Sequence, residues 1–172
     1  MTPPEFVVRA ATAADAAVIA RHRAAMFRDM GTLADEAAAR ALEAATAGYL
    51  AGAIPAGDYA GWLALAGGAV VAGAGAQVRP IIPRPGPGGR LLTAPQALLV
   101  NVYTEPPWRR RGAAERLVRL ALGWAEARGA SGVVLHATDA GRALYERLGF
   151  RPTNEMAYHG APVAPLTRRR SP

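Results

Sequence analysis

At 172 residues, with no cysteine and a formal net charge of +7, the chain is long enough to close one core of its own, burying roughly two thirds of its unfolded surface. The missing cysteines exclude disulfides, thiolate zinc sites and a cysteine nucleophile, and fit a reducing compartment. No apolar run reaches the roughly 18 residues a membrane span requires, and "MTPPEFVVRAATAAD" lacks the basic start and apolar centre of a secretory signal, so a cytoplasmic location and no membrane partner are expected.

The basic residues are all arginine and unevenly spread. Residues 1–78 hold five Arg against seven acids, whereas residues 79–172 hold fifteen against six. The second half is therefore the one that should attract anions.

In chain order, "EFVVRAAT" (5–12) reads as a first strand, and Thr12 or Asp15 can cap a helix running to Met30, with Val18, Ile19, His22, Met26 and Met30 near one stripe. Gly31 ends it. A second, Ala-rich helix is expected over 33–52, with Leu42, Ala45, Tyr49 and Leu50 at helical spacing, closing in the Gly and Pro of "AGAIPAG". "YAGWLALA" and "AVVAGAGAQVRPII", joined at Gly67–Gly68, read as an antiparallel hairpin. Gly73-x-Gly75 lies inside that strand pattern with no helix after it, so it reads as a bulge or close backbone approach rather than a dinucleotide loop.

"PRPGPGGRLLTAP" (83–95) is expected to be an irregular, mobile loop. Beyond it come a strand "QALLVNVYT", a helix from about Gly112 to Arg128, a buried strand "GVVLHAT", a short helix "DAGRALYERLG" and a final extended "FRPTNEMAYH". The order is β, α, α, β, β, β, α, β, α, β, an α+β domain with a mixed α/β sheet. One domain is expected over 1–164, with a basic, disordered tail over 165–172.

The stretch "PPWRRRGAAERLV" (106–118) carries the chemistry. The first-turn N–H groups of a helix opening at Gly112 or Ala113 have no internal partner, and the helix dipole adds positive potential there. Small Gly112, Ala113 and Ala114 admit a phosphate to the main chain, and Arg109, Arg110 and Arg111 supply charge-assisted hydrogen bonds. The same residues also suit a solvated basic loop. A nucleic-acid partner is not expected, because the arginine run is short and lacks interleaved aromatics.

Arg109-Arg110-Arg111-Gly112-Ala113-Ala114, between a strand ending "VYTEP" and a long helix, resembles the R/Q-x-x-G-x-G/A signature of the GNAT acyl-CoA-dependent N-acetyltransferases. "LYERLGF" (144–150) matches the L-Y-x-x-x-G-F signature that closes the same core. The resemblance implies a central mixed, mostly antiparallel sheet flanked by helices, with splayed fourth and fifth strands. It further implies acetyl-CoA as co-substrate and no metal, and transfer of acetyl to an amine acceptor by direct attack in a ternary complex.

By position, the resemblance places Val102, Tyr103 and Thr104 beside the pantetheine arm and residues 109–114 at the pyrophosphate. Tyr145 matches the tyrosine that protonates the departing thiolate in many members. A homodimer is common in that superfamily. Two positions depart from its pattern: Thr138 stands where many relatives have Asn, and Gly141 where they have Ala. Thr138 or Asp139 can hydrogen-bond the pantetheine or cap the short helix, with Asp139 the expected cap.

Leu98 occupies the place where some members have a glutamate base, so no base carries over. Glu105, His136, Glu155 and His159 are the candidates, although an amine can lose its proton through water. Acceptor-pocket candidates are His22, Met26, Phe27, Met30, Tyr49, Tyr59, Trp62, Asn101, Tyr103 and Trp108. The alternative to an enzyme is a non-catalytic CoA-binding or regulatory module on the same scaffold. With no H-E-x-x-H, carboxylate-rich loop or clustered His, no metal site is expected.

Overall fold

The computed structural model describes residues 6–157; Glu5, His159 and the tail 165–172 lie outside it. Strand β1 (Val7–Ala10) leads through a 3-10 turn at Ala13–Asp15 into α1 (Ala16–Asp29). Both expected cap residues act together in that turn. Asp15 Oδ2 accepts the Thr12 N–H at 2.8 Å and the Thr12 hydroxyl at 3.1 Å, while Arg9 donates to both carboxylate oxygens at 2.8 and 2.7 Å. The Arg9 guanidinium and the Thr12 donors hold the Asp15 carboxyl well below the usual carboxylate range, against the opposing effect of burial.

Helix α2 (Glu36–Ala56) is longer than the expected 33–52 segment. Asp35 caps it, accepting the Ala38 N–H at 2.8 Å, and it stops only at Gly57, where φ is 79°. Pro55 lies in its last turn. A proline so near the end forfeits a single backbone bond, and the same stretch buries Leu50 and Ala53 against the sheet. The buried stripe is Ala39, Thr46, Leu50 and Ala53; Tyr49, expected on that stripe, is exposed and accepts a hydrogen bond from Gln77 Nε2 at 2.7 Å.

Strands β2 (Tyr59–Ala66) and β3 (Ala69–Arg79) form the expected hairpin. Gly67 and Gly68 have φ of 56° and 83°, the positive values that a tight two-residue hairpin turn demands. The segment 83–95 corrects the expectation of an irregular loop. Short strands β4 (Arg84–Pro85) and β5 (Leu91–Leu92) pair antiparallel around a 3-10 turn at Pro87–Gly89. Leu92 anchors this finger: it is buried, and its side chain fills the space beside Gly86, where a β-carbon would stand 2.7 Å from Leu92 Cγ.

Strand β6 (Gln96–Thr104), helix α3 (Ala113–Ala127), strand β7 (Val133–Leu135) and helix α4 (Asp139–Arg147) complete the described elements. The five-stranded sheet has the order β1-β2-β3-β6-β7, antiparallel throughout except for β6 with β7. This is the expected α+β sheet flanked by helices. The expected strand over 150–159 does not form within 150–157. Pro152 cannot donate to a ladder, the polar residues around it are exposed, and Phe150 turns back to meet Tyr145 edge-on, centroids 5.8 Å apart.

Helices α1 and α2 cover one sheet face through Ile19, Leu50, Tyr59 and Leu63. Helix α3 covers the other, where Leu117 and Val118 are fully buried. Alanines such as Ala24, Ala64 and Ala72, each fully buried, let these layers approach closely. Among the described residues no helix is long and apolar enough to cross a membrane.

Two irregularities of β6 position the site. Its pairing with β7 covers only Ala97–Leu99 against Val133–Leu135, after which β7 ends and β6 runs on to Thr104, so the fourth and fifth strands of the five-stranded sheet part as expected. On its other side, Gly73 faces Tyr103 and Gly75 faces Val100, leaving Asn101 and Val102 opposite Ala74. This bulge puts Asn101 in the left-handed region at φ 55°, a conformation Asn adopts more readily than most residues.

Candidate active site

A cleft of about 1130 Å³ opens where β6 leaves β7. Val102, Tyr103 and Thr104 form one wall, and the turn through Arg109, Arg110, Gly112, Ala113 and Ala114 forms its end. Thr138, Asp139, Gly141 and Tyr145 stand on the α4 side, with Met26, Asp29 and Met30 contributed by α1. Arg111 alone of the expected binding residues is off the wall; its guanidinium lies over the Trp108 ring, 5.1 Å from the centroid.

The arginine turn shows how local sequence prepares one end. Gly112 precedes α3 with φ 85°, and no side chain caps the helix. The ladder starts with Arg116 N–H donating to the Gly112 carbonyl at 3.1 Å, so the N–H groups of residues 113–115 have no partner inside the helix. Glu115, the acid of the first turn, is drawn aside by Arg119 at 2.8 Å. Arg110, at φ 62°, reverses the backbone just before this point.

Arg109 behaves differently from its neighbours. Its Nε donates to the Thr104 carbonyl at 2.9 Å, its Nη2 pairs with Asp29 Oδ2, and its guanidinium overlies Tyr103 at 5.6 Å. It ties the end of β6 to the end of α1. Asp29 went unnoticed in the sequence, although an acid in the last turn of a helix opposes the helix dipole and so signals a cation nearby.

At the other end Tyr145 is half-buried, and burial raises its phenol above the ordinary value. Thr138, not Asp139, caps α4: its hydroxyl accepts the Gly141 N–H at 3.2 Å from an extended backbone, and Asp139 is the first helical residue. Gly141 leaves room for both neighbours, since a β-carbon there would stand 3.1 Å from the Tyr145 ring and 3.4 Å from the Thr138 hydroxyl.

An uncapped helix start and a parted pair of strands thus share one cleft, and the acetyltransferase (GNAT) family profile matches residues 25–150, which contain both. The chain belongs to the GNAT acetyltransferase family. It is similar to a GCN5-related N-acetyltransferase from Ralstonia eutropha JMP134 at 34% identity and TM-score 0.78, covering 94% of this chain and 100% of the other. A predicted acetyltransferase with acetyl-CoA from Clostridium acetobutylicum shares the fold at 20% identity and TM-score 0.77, covering 91% and 96%. An aminoglycoside N-acetyltransferase in complex with CoA shares it at 16% identity and TM-score 0.66, covering 91% and 95%. No curated protein matches the chain.

Of the base candidates of this GNAT chain, Glu105 is paired with His22 and His136 with Glu155, while His159 lies outside the described residues. Glu105 Oε1 lies 3.2 Å from Nε2 of buried His22, at the arginine-turn end of β6. Burial lowers the His22 pKa while Glu105 opposes that shift. Its Nδ1 is buried without a hydrogen-bond partner among the described residues. His136 Nε2 is 3.3 Å from Glu155 Oε1, and Arg79 is 3.2 Å from Glu155 Oε2. His136 and Arg79 hold the Glu155 carboxyl below its ordinary range. His136 and Glu155 line a second cavity of about 370 Å³ that shares Ala137 and Tyr145 with the main cleft.

The acceptor candidates also divide. Met26, Met30, Tyr103 and Trp108 line the GNAT cleft. Trp62 does not: it packs edge-on against Trp124 beneath α3, centroids 6.0 Å apart. Tyr59 and Asn101 are buried beside α1, where Asn101 Nδ2 donates to the Tyr59 oxygen at 3.2 Å. Desolvation pushes the Tyr59 phenol up to about 12. Arg23, not singled out by the sequence, donates from Nη1 to Asn101 Oδ1 at 2.5 Å and lies over the Phe27 ring at 4.9 Å.

Proposed function

We propose that the protein is an N-acetyltransferase that moves an acetyl group from acetyl-CoA to a primary amine by direct attack in a ternary complex. The observation carrying this reading is one continuous cleft that joins the uncapped start of α3 to the parting of β6 and β7, with Tyr145 on its wall. The chemistry of the donor set suits the co-substrate. The first-turn N–H groups of α3 and the exposed Arg110 bind the pyrophosphate, and the edge of β6 at residues 102–104 pairs with the pantetheine arm as an added strand would.

Acetyl-CoA supplies an activated thioester carbonyl. Main-chain donors of β6 at the bulge polarise that carbonyl, and the walls hold it against the incoming amine. The amine nitrogen bonds to the carbonyl carbon as the carbon–sulfur bond breaks, Tyr145 gives its phenolic proton to sulfur, and the surplus amine proton passes to water. Glu105 takes no part, being at the far end of β6 and paired with His22.

Calorimetric titration with acetyl-CoA tests the binding half. We expect affinity to fall about tenfold in Arg110→Ala and to be largely lost in Gly112→Val, because a branched residue is strained at φ 85° and its side chain would take up the open space beside the helix start that the pyrophosphate needs. Parent-like affinity in both variants refutes the assignment. Release of CoA in the presence of an amine panel tests the enzymatic half; tight acetyl-CoA binding with no transfer to any amine favours the non-catalytic CoA-binding module.

A further inference from the structure

Only two of the described arginines are half-buried, Arg23 and Arg79. Arg79 has a counter-ion in Glu155 at 3.2 Å. Arg23 has none: no carboxylate of the described residues lies within 4.0 Å of it. Among the described residues its guanidinium donates only to the neutral amide of Asn101, and it lies over the ring of Phe27. Arg109, exposed in the arginine turn, is by contrast neutralised by Asp29.

Its place in the fold gives that unbalanced charge a direction. Arg23 lies on α1 one turn before Met26 and two turns before Met30, both on the cleft wall. Its partner Asn101 immediately precedes Val102, the innermost β6 residue of that wall. Neither Arg23 nor Asn101 is on the wall itself; they stand beside it, next in the chain to Val102 and one helical turn from Met26, and with the phosphates assigned to the arginine turn this side is left for the acceptor. The amide is locked, because Asn101 is buried in the bulge and its Nδ2 is committed to Tyr59. With Nη1 held, the guanidinium keeps N–H donors in the fixed fork that matches a carboxylate.

We propose that Arg23 is an anchor for a carboxylate carried by the acceptor, so that the substrate is an amino acid or a similar small amine bearing one carboxylate. The inference rests on the transferase reading above. A single guanidinium braced by two neutral groups balances one negative charge, which favours a carboxylate over a phosphate dianion and disfavours polycationic amines.

The test is acetyl transfer to matched acceptors: an amino acid, its amide, its decarboxylated amine and the corresponding aminophosphonate, with parent, Arg23→Gln and Arg23→Lys. The parent should show kcat/KM about tenfold or more higher for the acid than for the amide or the bare amine. Arg23→Gln should erase that preference through KM, Arg23→Lys should retain part of it, and acetyl-CoA affinity should match the parent in both, showing that the fold is intact. Equal use of acid and amide by the parent, a preference for the phosphonate, or a preference that survives in Arg23→Gln overturns this inference while leaving the transferase reading standing. Acetyl-CoA binding with no transfer to any acceptor overturns both.

Discussion

The phenol of Tyr59 occupies the space that a side chain on Gly75 would need: a β-carbon there would overlap both its oxygen and its ring. The missing side chain lets a residue of β2 reach across β3 to Asn101 of β6, beside the bulge that forms the inner wall of the cleft. Gly75→Ala must therefore displace Tyr59 and break a buried hydrogen bond, and we expect a loss of about 2–4 kcal/mol in urea unfolding. Gly123→Ala, on the exposed side of α3 with open space around it, should instead gain about 0.5–1 kcal/mol from helix propensity. A parent-like midpoint for Gly75→Ala shows that Tyr59 is not held as described.

Tyr145→Phe separates proton donation from binding. Removing the hydroxyl should lower turnover on the order of 100-fold while the acetyl-CoA dissociation constant stays within about twofold, because the ring still packs against Phe150. Burial raises the phenol's pKa, so the parent should keep this proton through neutral pH and beyond the range in which an ordinary tyrosine titrates. Unchanged turnover in the variant removes Tyr145 from the chemistry.

Asp15 predicts an acid limb in the stability profile. Its folded pKa lies below its unfolded value of about 4, so its contribution is complete above that value and disappears as the pH falls through the folded pKa. Asp15→Asn should cost about 1–3 kcal/mol at pH 7, where the paired Arg9 hydrogen bonds are lost. The gap between parent and variant should close as the pH drops below about 4. A gap independent of pH in chemical denaturation would show that the carboxylate's charge is not what stabilises the turn.

The parts of this molecule legible in the sequence are those decided within a few residues. Gly67–Gly68 set the hairpin, and Gly112 after three arginines marks the start of a helix. Tyr145 came with its local motif. The parts that were not legible depend on long-range packing. Arg109 stands on the cleft wall as expected, but its hydrogen bonds to Thr104 and to Asp29, 80 residues away in sequence, have no local signal. Trp62 alternates onto the α3 face of the sheet, which no local pattern declared. Pro55 reads as a helix end but lies within α2. The finger at 84–92 hangs on one buried leucine within a proline- and glycine-rich stretch.

The three-residue ladder between β6 and β7 also has a mechanical meaning. The flank from β1 to β6 is joined by long antiparallel ladders, whereas β7 adds only three paired residues and packs its Val133 and Leu135 against the cluster that holds Val118 and Ala121 of α3. The sheet is accordingly more extensively bonded on the side that carries the bulge than on the side that leads into α4 and Tyr145. On the proposed mechanism, the proton donor therefore stands on the more lightly bonded of the two walls.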